Sequence, residues 1–354
     1  MSKNIAENTA EKNTAEKNTA NTDAANANAT NADKEDKNAA KQPESIISVF
    51  NFKEKEDSAA PDSPSDSPSD SSAENKTFAD SKTFTGKSIY FPTGKVYGGQ
   101  VIAQSLVAAY KTVEDDRLPN SVHGYFMKPG DIKQELDFEV ENLRDGRSLS
   151  ARRVNATQRN GAIFTAIASF QKDNQSGVEF QDEMPQNLPE PEELTSAKQL
   201  MEPYAQYSPM ANYYATRSPF DIRHVGNSVM LAKDDKSAQE DSGKQIVWMK
   251  ADEQINAGQI YHRALLALGC DQIMMEPVVR RAGLSFATKG IFYATIDHSM
   301  WWYDSIDINE WHLYVQDTPK AGHGRGLGTA KVYDKSGKLV ACMVQEAMIR
   351  VPEK

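Results

Sequence analysis

Two polar residues stand where apolar ones are expected. In "ALLALGCDQIMMEP", residues 264–277, a helical period places Ala264, Leu268, Asp271 and Met275 on one stripe, so the stretch reads as a buried helix with one acid in it. An ionised carboxylate loses several kcal/mol on leaving water unless partners compensate, or else its pKa rises until it is neutral. In "KLVACMVQEAMIRV" the strand period puts Leu339, Ala341, Met343, Gln345, Ala347 and Ile349 on one side, with Glu346 and Arg350 on the other. A partly desolvated Asp can serve as a general base, and a carboxamide can both donate to and accept from a reacting group. Each residue also has an ordinary reading: a helix edge where Asp271 reaches water, and a core Gln345 bonded to backbone. The residues by themselves leave both readings open.

Other candidates are weaker. Asp297 and His298 are adjacent in "TIDHSMWWY", and as strand neighbours they point to opposite faces, so they cannot both line one pocket. A structural role is the ordinary reading for that pair, although His298 could polarise a carbonyl. The glycine-rich "GHGRGLG", Gly322 to Gly328, is not followed by a helix pattern, which argues against a nucleotide loop. Cys270 and Cys342 are too few for a disulfide framework and lack metal-ligand spacing, so they are expected to be free core thiols with no metal bound. Trp301, Trp302 and Trp311 fit the core or a subunit interface better than an acyl platform.

The elements that must position these residues come in two copies of one plan. The first runs "VYGGQVIAQSLVAAYKTV", "SVHGYFMKPGD", "ELDFEVENLRDGRSLSARRVNATQRNG" and "AIFTAIASFQ". The second runs "IYHRALLALGCDQIMM", "TIDHSMWWYDSIDINE", "WHLYVQDTPKAGHGRGLGTAKVYDKSG" and "KLVACMVQEAMIRV". Each is a helix followed by strands, with the hairpin turns "QRNG" and "DKSG" at matching places. The pattern predicts an α+β fold in which one apolar helix is wrapped by a curved antiparallel sheet, twice in tandem.

Composition sets the boundaries. Residues 1–43 repeat "AEKNT" and carry almost no large apolar side chain, so a disordered tail is expected. Residues 57–76, "DSAAPDSPSDSPSDSSAENK", are acidic and rich in Ser and Pro, and read as a disordered insertion in a first domain spanning 44–175. A Pro- and Glu-rich linker is expected over 176–215 and a second domain over 216–354. A net charge of −10 without a basic run argues against nucleic acid. The start "MSKNIAENTAEKN" has no apolar core of a signal peptide, and no window is long enough to cross a bilayer, so a cytoplasmic chain without membrane insertion is expected.

"YGGQVIAQSL", "HGYFMKPGD", "LRDGRSLSARRV", "ATIDHSMWWY", "INEWHLY" and "VQEAMIR" together resemble, in order, the acyl-CoA thioesterase II family of the bacterial thioesterase B type. The resemblance covers about Ser81 to Arg350, with "ISVFNFKEKED" as an opening segment split off by the insertion. It implies a double hotdog fold and hydrolysis of medium- to long-chain fatty acyl-CoA, with no metal and no cofactor beyond the coenzyme A of the substrate. It also implies a catalytic trio of Asp271, Thr295 and Gln345, and a homodimer or homotetramer. Arg325 and Arg147, with Arg144 and Arg153, are candidates for the coenzyme A phosphates, solvated surface being the ordinary reading for each, and His298 is a candidate substrate contact. The first helix stretch, Gly98 to Val113, contains no acid. Counting along the repeats sets Ser169 opposite Gln345 and Ser121 opposite Thr295, so one competent site per chain is expected, in the second half. The rival functions are a hotdog enoyl-CoA hydratase and a non-catalytic acyl-CoA-binding protein.

Overall fold

The computed structural model describes residues 45–55, 81–173 and 175–351. The expected tail and acidic insertion lie outside these residues. The chain opens with a 3-10 turn at Ile46–Phe50, then strands β1 (Lys53–Glu54) and β2 (Ser81–Gly86), helix α1 (Gly98–Tyr110), and strands β3 (Arg117–Phe126), β4 (Leu136–Asp145), β5 (Leu149–Gln158) and β6 (Gly161–Lys172). Two short helices follow, α2 (Ala197–Met201) and α3 (Pro209–Thr216). Next come β7 (Phe220–Val225), α4 (Asp235–Gln239), β8 (Gln245–Ala251), α5 (Gln259–Cys270) and α6 (Glu276–Arg281). Strands β9 (Phe292–Trp302), β10 (His312–Gly322), β11 (Arg325–Asp334) and β12 (Leu339–Arg350) complete it.

All twelve strands join in one antiparallel sheet, ordered β1-β2-β4-β5-β6-β3-β9-β12-β11-β10-β8-β7. The order reads the same way outward from its centre, where β3 pairs with β9 and the two repeats meet. Each half wraps one helix: Ile102, Leu106 and Ala108 of α1 are at 0% exposure, as are Leu265, Leu266 and Leu268 of α5. Strand alternation does the wrapping, since Phe138, Val140, Val154, Ala156, Val332, Ala341 and Met343 all turn inward. This is the twice-repeated helix and sheet expected from the sequence pattern, in the form of the double hotdog that the resemblance implied.

Residues 176–215 carry structure of their own. Ser196 caps α2 in a reciprocal capping box with Gln199, and Ser208 caps α3. Met201, Ala211 and Tyr213 are buried. Upstream, Met184, Leu188 and Leu194 pack on Trp248, Trp311, Leu313 and Tyr333, covering the outer face of the second half. Trp302 and Trp311 are core residues, each 3% exposed, whereas Trp301 is half-buried against His123. Among the described residues no helix is long and apolar enough to cross a membrane.

One local expectation changes. Residues 264–277 are not one helix: α5 ends at Cys270, Asp271 is its C-cap, and α6 starts at Glu276 with Pro277 in its first turn. Proline has no N–H to bond the carbonyl four residues back and clashes with it, so carrying a helix through Pro277 would cost about 3 kcal/mol, whereas in the first turn of a new helix it costs little. Asp271 therefore sits at a helix end rather than on a mid-helix stripe.

Candidate active site

The end of α5 is aimed at the beginning of α1. Tyr97, the N-cap of α1, makes no side-chain cap, which leaves first-turn N–H groups open. Asp271 fills that need from the other half of the molecule: the Gly99 N–H donates to Asp271 Oδ2 at 2.8 Å. The carboxylate thus lies at the negative end of its own helix and the positive end of another, and the second contact offsets the first. Close approach explains the paired glycines. A Cβ on Gly99 would fall 2.3 Å from the Leu268 carbonyl oxygen, and one on Gly98 would fall 2.7 Å from Asp271 Oδ2. The Tyr97 hydroxyl donates to the same Leu268 carbonyl at 2.7 Å and ties the two helices together.

Three side chains meet around this carboxylate. Gln345 Nε2 donates to Asp271 Oδ1 at 3.0 Å and to Thr295 Oγ1 at 3.0 Å, and Thr295 Oγ1 lies 3.4 Å from Asp271 Oδ1. Asp271 and Thr295 are half-buried, while Gln345 is fully buried, so the carboxylate and hydroxyl face outward from a fixed amide. The three come from the C-cap of α5, β9 and β12, elements far apart in sequence. Aromatic rings line the vicinity: Phe91 stacks on Tyr97 at 5.1 Å and meets Tyr213 edge-on at 5.3 Å, and Phe126 approaches Gly98. Burial, and after it the charge of Asp271, pushes the Tyr97 hydroxyl well above the ordinary tyrosine range, so it stays a neutral donor.

The remaining candidates are placed elsewhere. His298 is 1% exposed, and its ring meets Gln345 and Cys270 rather than a surface. Asp297 points the other way, half-buried, with its carboxyl raised by burial and then, among smaller effects, by Glu346 directly across on β12. Arg325 is exposed and donates to Glu346 Oε1 at 3.1 Å; Arg147 is exposed in the turn between β4 and β5. "GHGRGLG" forms a two-residue hairpin turn in which His323 and Gly324 both have positive φ, joining β10 to β11. Cys270 and Cys342 are free thiols. Among the described residues no cluster of His, Cys, Asp and Glu could hold a metal.

The cross-strand register and burial alternation correct both serine correspondences between the halves. Ser121 lies directly opposite Ser169, just as His298 lies directly opposite Gln345. Ser169, however, lies on the outward face of β6 whereas Gln345 turns inward, and it is the inward pair Val122 and Ala168 that takes the place of His298 and Gln345, so neither serine stands where the counting put it. A strand irregularity at Pro119/Ser121 and another at Glu346/Ala347 displace the counting. The C-cap of α1, the position corresponding to Asp271, is Lys111. Sequence reasoning missed Gly99 and Tyr97 as parts of the site; the double glycine opening a helix was the available signal.

Comparisons with known proteins bear on the family and the fold. A family model described as the acyl-CoA thioesterase N-terminal domain matches residues 88–171, and one described as the C-terminal domain matches 187–349. Acyl-CoA thioesterase 2 of Haemophilus influenzae is 33% identical over 77% of this chain and 94% of its own length. Human acyl-coenzyme A thioesterase 8 is 31% identical over 77% of this chain and 86% of its own. The crystal structure of an acyl-CoA thioesterase II from Mycobacterium marinum superimposes with a TM-score of 0.61 at 32% identity, covering 77% of this chain and 94% of that one. A hot dog fold protein from Alicyclobacillus acidocaldarius, at 19% identity and a TM-score of 0.60, bears on the fold alone. On this agreement of sequence, fold and both domain models, the chain belongs to the acyl-CoA thioesterase II family.

Proposed function

We propose that the chain hydrolyses medium- to long-chain fatty acyl-CoA to free fatty acid and coenzyme A with a water activated by Asp271, Thr295 and Gln345. The observation that carries this reading is the mutual hydrogen bonding of those three side chains at one partly open corner. Water attacks the thioester carbonyl carbon and gives its proton to Asp271. The tetrahedral adduct collapses, the C–S bond breaks, and the thiolate leaves to take up a proton. Thr295 and Gln345 keep the carboxylate and the water in register, which removes much of the entropic part of the barrier. No step calls for a metal or a bound cofactor. The rings of Phe91, Tyr97, Phe126 and Tyr213 beside the trio support an acyl rather than a polar substituent. A homodimer or homotetramer belongs to the same proposal.

Asp271→Asn tests it, because Asn keeps the shape and an acceptor for Gly99 but cannot take a proton. Thiol release from acyl-CoAs of graded length is expected to fall by about 100-fold or more, with acyl-CoA affinity by calorimetry largely kept. Turnover near the parent rate would refute the assignment of the base. The same assay separates the alternatives: a hydratase consumes the enoyl absorbance without releasing thiol, and a binding protein does neither.

A further inference from the structure

We propose that His298 is a positioning residue for the hydrolysis, acting through Gln345. The inference rests on the trio reading above. Gln345 is the hub of that trio, and its amide can occupy its place in two orientations related by a flip. In one, Nε2 donates to Asp271 and Thr295 while Oε1 turns inward; in the other, Oε1 would face the Asp271 carboxylate at about the distance of a hydrogen bond with no proton between them. The inward partner is His298, whose Nδ1 lies 2.8 Å from Gln345 Oε1. Since Oε1 can only accept, the imidazole must carry its proton on Nδ1, and this N–H holds the amide in the productive orientation.

The other side of the ring is also fixed. Nε2 lies 3.8 Å from Cys270 Sγ, and that thiol approaches the Ala267 carbonyl oxygen at 3.1 Å in the last turn of α5. His298 therefore bridges the residue that precedes the base and the residue that binds it. Its burial favours the neutral ring, which the Nδ1–H tautomer with an unprotonated Nε2 requires. The ring is hydrogen-bonded to Gln345 and Cys270 and to neither Asp271 nor Thr295, so it acts on the site through the amide.

The test compares three variants of the full chain by steady-state thiol release. His298→Asn places an amide N–H where Nδ1 stood; His298→Gln places it where Nε2 stood; His298→Leu removes the donor while filling the space. Asn is expected to keep kcat within a few-fold of the parent. Leu and Gln are expected to lower kcat by about 10- to 100-fold, the usual cost of losing a group that orients a reacting one, with KM little changed. Equal kcat for Asn and Gln, or an unchanged kcat in a folded Leu variant, would overturn the proposal. Should the Leu variant not fold, the Asn and Gln pair decides. Absence of thiol release from the unmutated chain would instead refute the thioesterase reading, so the two failures are distinguishable.

Discussion

A carboxamide at position 345 does what neither a carboxylate nor a hydrocarbon could. It donates twice toward Asp271 and Thr295 and accepts once from His298, so a fully buried polar group has its needs met. Its placement was legible as a polar residue on an apolar strand face, whereas Asp271 was singled out by a helical stripe that the structure ends one residue earlier. Thr295 was not, since a half-buried Thr on a strand resembles any other β-former, and only the family resemblance named it. The bond between His298 and Gln345 depends on the pairing of β9 with β12, which no local period contains. The buried histidines also set an expectation for stability against pH. Burial lowers His298 and His312 below the ordinary imidazole range, despite opposing hydrogen bonds and neighbouring charges. Lowered pKa values mean that the unfolded chain binds protons first as pH falls, so stability is full above about pH 6.5 and declines below it toward the folded pKa values. Asp137, Asp145 and Asp304, held low by their donors against burial, begin to cost stability only below about pH 4, near their unfolded values. Asp297, raised by burial, opposes this at acid pH. The melting temperature is expected to hold steady from pH 8 to about 7 and to fall between about pH 6.5 and 5. A flat profile across that window would mean that these two rings are not buried as neutral groups.

At the scale of elements, the site is a junction between two helix ends rather than a pocket cut into one domain. The sequence period located α5 but ran it past Asp271, because Met274 and Met275 continue an apolar pattern that Pro277 then cannot accommodate. Hairpins between consecutive strands were readable from "QRNG" and "DKSG"; the contact between α1 and α5 was not, because it joins residues 171 and 172 positions apart in different repeats. Gly99 puts that contact to the test with opposing signs. Helix propensity alone predicts that Gly99→Ala gains about 1 kcal/mol. The structure predicts a loss, since the new Cβ would lie 2.3 Å from a backbone carbonyl that cannot rotate away. Forced overpacking costs about 1–3 kcal/mol, which outweighs the propensity gain, and it moves the Gly99 N–H from Asp271. The variant should melt below the parent and release thiol more slowly. A raised melting temperature with full activity would show that the helix ends are not in contact.

The described residues form two halves related by one plan, and the hydrogen-bonded trio lies in the second. Where α5 ends in Asp271, α1 ends in Lys111, and the corner beyond it is filled by Arg152, which donates to the Thr112 carbonyl and side chain and to Asp145. The first half contributes Gly99 and Tyr97 instead, so the surroundings of Asp271 are built from both repeats. The halves also differ on their outer faces. Met184, Leu188 and Leu194 cover the second, whereas Tyr125, Leu149 and Ile167 of the first remain 56%, 38% and 45% exposed. An antiparallel sheet with one face on the core ordinarily turns polar groups outward, so large apolar side chains there mark a contact surface. In the proposed oligomer this face of β3, β5 and β6 meets the same face of a second copy, since a two-fold axis brings a patch onto itself. Light scattering after size exclusion is expected to give two or four times the chain mass, and Ile167→Glu with Tyr125→Glu should lower it while leaving the trio's surroundings intact. A parent chain that stays monomeric at micromolar concentration would rule the assembly out, and a double variant that keeps the parent mass would move the interface to another face.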